Sequence, residues 1–402
     1  MAFFYLYIPD LARNVVNVIR TSDNSIFATI VLPGGISSTP QPNTCVASPD
    51  NTLVLVTISN VALSGDAFLV KVATNTVIAT FNVGGLGCSS GTFSLDGRFI
   101  YLSSGAGQVY VFSTSTFSLV ATLGPAIDVF WGFVRHPNGQ FVYAIDSTSG
   151  LVDVIQVSTN TVVATIGIGF SPQWGDITPD GHYLYIGNTE SFNVSVIDTT
   201  TNTVVNTIAM PTIGLLGQLH VVPGGKYVHV PLNQNAPAVS VISVATQSVL
   251  ANISFLTPQS WTAMNLAPTP DGQYVYVPSH FNPNPWVARI RTSDNSFVLI
   301  AVPNQAGEAL VLPDGTSVYV TNLTNQNVLS VVPDESAIVS QNIALPGGVA
   351  GNPNYALAAA IPVGAGGVTG TSDVLHVGRN PTWTLASSGK SINRGAVDGL
   401  SP

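Results

Sequence analysis

The chain has 402 residues and a formal charge of −9; only 8% of its side chains are formally charged, while 46% are apolar. The apolar share excludes disorder, and the abundance of Val, Thr, Ser, Asn, Gly and Pro excludes helical bundles and coiled coils. An acidic balance without a basic cluster excludes nucleic acid as a partner, two cysteines exclude a disulfide scaffold, and no apolar run reaches the ~18 residues that span a bilayer.

The chain opens on an alternating strand, Phe3-Phe4-Tyr5-Leu6-Tyr7-Ile8. Met1 to Phe4 lacks the basic start of a secretory signal, and Pro9-Asp10 ends the apolar run. A turn signal then recurs before each further strand: Pro49-Asp50-Asn51, Leu95-Asp96-Gly97, Pro137-Asn138-Gly139, Pro179-Asp180-Gly181, Pro223-Gly224-Gly225, Pro270-Asp271-Gly272 and Pro313-Asp314-Gly315. From Asp50 to Asp314 the turns are spaced by 42 to 47 residues. A period in the forties with turn chemistry in every unit predicts a β-propeller.

Each unit carries four strand-like segments, A to D, with the Pro-Asp-Gly turn between A and B. A second turn, seen at Thr74-Asn75-Thr76, Thr159-Asn160-Thr161 and Thr201-Asn202-Thr203, joins C to D. The hexapeptide from Arg20 to Ser25 recurs letter for letter from Arg291 to Ser296, at the same kind of junction. B strands begin near Phe3, Thr52, Arg98, Gln140, His182, Lys226, Gln273 and Thr316. The last A strand, Tyr355 to Ile361, has no B strand after it, whereas the first B strand has no A strand before it. The two complete one blade. The expected fold is therefore an all-β, eight-bladed propeller of four-stranded antiparallel blades over residues 1–362, with seven blades as the fallback.

Tyr319-Val320-Thr321-Asn322 spells the signature of YVTN-type β-propeller repeats, and the chain resembles that family over residues 3 to 362. Its members are surface-layer and secreted proteins of bacteria and archaea. The resemblance implies adhesive or structural roles, with a few lactonase- and lyase-like enzymes among the relatives.

The short A–B and C–D turns share one face of the propeller, and the B–C and D–A connections, which vary in length and content, share the other. Variable loops on a rigid scaffold are where binding specificity sits. On that face Trp131, Trp174 and Trp261 each lie just ahead of an inner strand, with Tyr355 nearby. Flat rings there would stack on sugars; alternatively they fill gaps between the wedge-shaped blades. Asp176 and Glu308 begin inner strands, and Asn265 and Gln218 take similar places. These oxygens suit a hard cation such as Ca²⁺, which makes Asp176 and Glu308 the candidate metal ligands. No two histidines show metal-ligand spacing, and His220 is the one placed near the channel. Trp286, in a Pro-rich loop, is expected at the surface.

Cys45 and Cys88 enter inner strands of consecutive blades, as a bridge or as two buried thiols. Sequons stand at Asn193, Asn252 and Asn322, as an Asn/Ser/Thr-rich chain produces by chance. Residues 363–402 break the period. This Gly/Ser-rich arm holds Arg379, Lys390 and Arg394 and two strand-like patches, Val374-Leu375-His376-Val377 and Trp383-Thr384-Leu385. Val374, Leu375, Val377, Trp383 and Leu385 suit docking onto a neighbour by strand addition.

Scarce charge suits surfaces covered by other copies or by a cell wall. The sequence thus leads to a non-enzymatic extracellular structural or adhesive subunit that self-associates, with no catalytic residues and no cofactor beyond Ca²⁺. Its expected partners are further copies of itself and cell-surface glycans. The rival expectations are a carbohydrate-binding propeller with an aromatic mouth and a metal-assisted lactonase or lyase.

Overall fold

A computed structural model describes residues 3–363 apart from 11–12, 35–41, 59–66, 85–86, 89, 106, 125–129, 212–214, 234–237, 256–264, 280–284, 303–305, 323–327, 334–340 and 345–358, together with 374–375 and 383–384. No helix occurs among the described residues.

The described residues form eight antiparallel blades. Seven are four-stranded sheets; in the eighth the inner position is divided between two short strands, Leu215–Leu216 and His220–Val221, both paired with Tyr227–Asn233. Blade 1 joins Ala359–Val363 to Phe3–Asp10, Val15–Arg20 and Ser25–Val31. The remaining blades follow in chain order, and blades 4, 5 and 6 begin at Phe130, Pro172 and Leu215. The closing strand lies slightly later than the sequence suggests: it runs through Pro362, which stands opposite Phe4. Proline is tolerated because an inner strand is a sheet edge, where one side of the backbone needs no partner.

Local chemistry explains the regularity. In the A–B turn of blade 3, Ser94 Oγ donates to Asp96 at 2.6 Å while accepting from Phe99 N at 2.9 Å, and Arg98 N donates to Asp96 Oδ1. Gly97 sits at φ 71°, which costs a residue without a Cβ nothing. Thr178 and Asp180 build the same turn in blade 5, and Thr269 and Asp271 build it in blade 7. In the C–D turns the left-handed residue is usually Asn: Asn24, Asn75, Asn160, Asn202 and Asn295 have φ between 51° and 59°. Asn enters that region more easily than other side chains.

The hydrophobic core is distributed rather than central. Eight buried clusters fill the eight seams between neighbouring blades, and Phe4, Leu6 and Ile8 pack against Leu310, Leu312 and Tyr319 where blade 8 meets blade 1. Burying a Val or Leu side chain contributes about 1.5–3 kcal/mol, so each seam is a strong joint.

Several seams carry a further bond. The B strands align in one column: Tyr7, Leu55, Tyr101, Tyr143, Tyr185, His229, Tyr276 and Tyr319 each pair with the same position of the C strand. From that column Tyr7, Tyr101 and Tyr319 donate to Asn75, Asn160 and Asn24 in the C–D turn of the next blade, at 2.6 to 2.7 Å.

One expectation of detail is corrected and one pair of alternatives is decided. Trp286 is buried to 6% exposure against Phe255, with ring centroids 5.3 Å apart, because it lies on a C strand rather than in a loop. Of the two readings of the cysteines, the unbridged one holds: Cys45 and Cys88 are buried thiols packed into different seams. In the arm, Val374–Leu375 pairs with Trp383–Thr384, while Val377 and Leu385 lie outside the described residues.

Candidate functional site

The inner strands show where this chain departs from its own repeat. Opposite the column of B-strand tyrosines, six inner strands carry Ala359, Val46, Thr92, Val134, Ala267 and Leu310. Blades 5 and 6 instead carry Asp176, opposite Tyr185, and His220, opposite His229. A carboxylate and two imidazoles thus stand where the repeat otherwise places small or apolar side chains and a tyrosine.

All three are buried, at 2%, 1% and 0% exposure for Asp176, His220 and His229. Asp176 accepts hydrogen bonds from Val221 N at 2.9 Å, across the seam, and from Ile177 N at 2.8 Å. His220 Nδ1 lies 3.7 Å from Asp176 Oδ2. Burial pushes the Asp176 carboxyl above its ordinary pKa, with His220 and the two amides opposing the shift. Burial, reinforced by His220, pushes His229 down to about 3, so its ring is neutral at pH 7. Neither ring nitrogen of His220 or His229 makes a hydrogen bond to another described residue. A buried polar group without a partner costs about 1–3 kcal/mol, and the four atoms on this pair of strands mark it as the candidate site.

Two residues earlier on the inner strands, or just ahead of them, a second row runs through Trp174, Gln218, Asn265 and Glu308 of blades 5 to 8. Trp174, Gln218 and Asn265 are buried, and the Asn265 side chain accepts from Ala309 N of the next blade at 3.5 Å. Glu308 is partly exposed, and its amide donates to Thr321 Oγ1. Of the residues singled out in the sequence, Asp176, Trp174 and Glu308 therefore fall on inner strands, and Asn265 just ahead of one, in one contiguous half of the ring. Trp131 is on the inner strand of blade 4, its side chain outside the described set, and Trp261 and Tyr355 lie wholly outside it. Among the described residues no group of three or more His, Cys, Asp or Glu side chains could hold a metal ion by itself. Among those residues, too, no helix is long and apolar enough to cross a membrane.

His220 and His229 escape a motif search because they are nine residues apart, with no metal-ligand spacing. The available signal is the alignment of the repeats, in which His229 falls in the tyrosine column.

Residues 93–247, spanning blades 3 to 6, match the family model described as the Cytochrome D1 heme domain. This span contains Asp176, His220 and His229. No curated protein matches the chain. Among solved structures, dihydro-heme d1 dehydrogenase NirN in complex with DHE is similar at 14% identity and a TM-score of 0.69, over 90% of this chain and 74% of that one. Hydrazine synthase of Kuenenia stuttgartiensis is similar at 19% identity and a TM-score of 0.53, over 62% and 77%. At these identities the structural likeness establishes the shared fold.

These comparisons correct the sequence reading. They support a propeller but not the YVTN-type repeat family specifically. The expectation of a non-enzymatic surface-layer, filament-forming or adhesive subunit is overturned by the match to a heme-domain model, which points to heme-binding, enzyme-associated propellers. The expectation of no cofactor falls with it. The cause is that low charge and repeat regularity describe a scaffold, and a scaffold does not settle function.

Proposed function

We propose that the propeller holds an iron tetrapyrrole of the heme class against the inner strands of blades 5 and 6, as part of a redox enzyme. The observation that carries this reading is the His220 imidazole, buried without a hydrogen bond, beside the Asp176 carboxylate and within the matched segment.

The donor chemistry fits. An imidazole backed by a carboxylate is a common inner and outer layer of metal ligation, because the carboxylate accepts from one ring N–H and fixes the other nitrogen as the donor. His220 would hold the iron, and Asp176, 3.7 Å from Nδ1, would set its tautomer. When bound, such a group supplies one-electron and ligand-binding chemistry at its iron. Asp176 is held for this task by the Val221 and Ile177 amides, so it does not depend on His220 for its position.

His220 is closed off in the described fold, so loading requires the inner strand of blade 6 to yield. That strand is the divided one, with Gly217 N bonded to Pro231 O between its two parts. A two-residue ladder on either side of a break opens more easily than the five- or six-residue inner strands of blades 1, 2, 4, 5 and 8. The scarcity of charge supports a location outside the cytoplasm.

The test is a titration of the full chain with ferric hemin, followed by the Soret band. Wild type is expected to develop a shifted Soret band at one equivalent, and His220→Ala to lose it. A wild type that leaves the hemin spectrum unchanged, or a His220→Ala variant that binds equally well, would overturn the proposal.

A further inference from the structure

We infer that His229 is a positioning residue for His220, set where six other blades place a tyrosine. The inference rests on the proposed role of His220. In the B-strand column, Tyr7, Tyr101 and Tyr319 latch the seam to an asparagine of the next blade, whereas the Tyr143 and Tyr185 hydroxyls are buried without a hydrogen bond to a described residue. Where Leu55 replaces tyrosine in blade 2, the facing turn of blade 3 carries Phe117, at φ 57°, in place of the usual Asn. Both sides of that exception are apolar, and nothing polar is stranded.

The seam between blades 6 and 7 is different. Blade 7 still presents Asn295, at φ 59° in the turn position that Asn24, Asn75 and Asn160 use to accept a tyrosine hydroxyl. Its Oδ1 is buried without a hydrogen bond to a described residue, and both ring nitrogens of His229 are in the same state. An acceptor has been kept while its donor has been replaced. Tyrosine here would offer Asn295 the kind of donor that Asn24, Asn75 and Asn160 bond, whereas histidine leaves three atoms unbonded, Asn295 Oδ1 and its own two ring nitrogens, against two in the Tyr143–Asn202 seam.

What His229 does have is a neighbour. It is the direct antiparallel partner of His220, so the two imidazoles leave the same face of the sheet with their Cβ atoms about 4.5–5.5 Å apart. The second neighbour of His220 is Asp176 of blade 5, whose Oδ2 lies 3.7 Å from His220 Nδ1. Asp176 and His229 thus give one imidazole both a carboxylate and a second imidazole as neighbours, restricting its rotamer and tautomer. A tyrosine at position 229 would send its hydroxyl across the seam and leave that side of His220 without a polar neighbour.

The test uses the full chain as wild type, His229→Tyr and His229→Leu. Hemin affinity, Soret position and Tm are measured, together with the tautomer-reporting 15N shifts of the His220 ring without hemin. His229→Tyr is expected to gain the Asn295 bond and about 1–3 °C in Tm, which His229→Leu does not. Both should weaken hemin binding at least tenfold, move the Soret band, and alter the His220 ring shifts. Folded variants with wild-type affinity and wild-type His220 shifts would overturn the inference while leaving the heme reading intact. If wild type binds no hemin but the His220 shifts still move in both variants, the heme reading falls and the positioning role stands.

Discussion

The Tyr319 hydroxyl donates to Asn24 Oδ1 at 2.6 Å, joining residues 295 positions apart across the seam where the ring closes. Tyr185, in the same column of blade 5, faces a turn whose left-handed residue is Gln247, and its hydroxyl is buried without a hydrogen bond to a described residue. One repeat position thus serves as a latch in some blades and as a stranded group in another. Tyr319→Phe should cost about 1 kcal/mol of unfolding free energy, whereas Tyr185→Phe should be neutral or slightly stabilising. Urea unfolding of the two variants beside wild type checks the contrast; equal losses would show that the column has no such division.

The pH dependence of the cofactor-free chain should carry the mark of His229. Its folded pKa is pushed from 6.5 to about 3, so between those values the unfolded chain binds the extra proton. Stability therefore rises with pH across that window and is lost as pH falls through it, by at most about 1.4 kcal/mol per pH unit from this group. Asp176, raised above 3.8, acts with the opposite sign near the acidic end of the window. Unfolding measured at pH 4, 5, 6 and 7 should show a shallower slope in His229→Leu than in wild type.

Gly175 stands between Trp174 and Asp176, and a Cβ there would meet Ile186 Cδ1 at 2.3 Å and Tyr185 O at 3.0 Å. Gly175→Ala should lower stability by about 1–3 kcal/mol through overpacking. Because the strain falls beside Asp176, the variant should also weaken hemin binding. Thermal unfolding together with the Soret titration reads both effects.

Native protein should resist thiol reagents. Cys45 and Cys88 are buried and unbridged, and burial pushes the Cys45 thiol well above its ordinary pKa, leaving little thiolate. Mass spectrometry should find no label on the folded chain and two labels after denaturation, with or without a reductant. A need for reductant would reveal a bridge.

Much of the scaffold was legible because its causes are local. A Pro-Asp-Gly turn needs Asp oxygens and a residue free to take positive φ, and these recur at a fixed interval, so blade number and closure follow from counting strands. Trp286 was misplaced because three nearby prolines suggest a loop, although its own side chain packs with Phe255 in the seam. Asp176 and His220 were both visible as residues near the channel. Their pairing was not, because it depends on two strands 44 residues apart meeting across a seam. His229 was hidden differently: inside a B strand it reads as an ordinary core residue until eight strands are aligned and seven prove to carry Tyr or Leu in its place.

Closure by Ala359–Val363 on Phe3–Asp10 also imposes a schedule on biosynthesis. Phe3–Asp10 cannot finish its blade until Ala359–Val363, about 350 residues later, has been polymerised, which at about 5–20 residues per second takes roughly 20–70 s. Throughout that interval Phe3–Asp10 presents an unpaired inner edge, open to pairing with another nascent chain. A circular permutant that begins at Pro42 and joins the original ends through a linker would make blade 1 from consecutive segments. It should need less chaperone assistance during translation while reaching the same final ring.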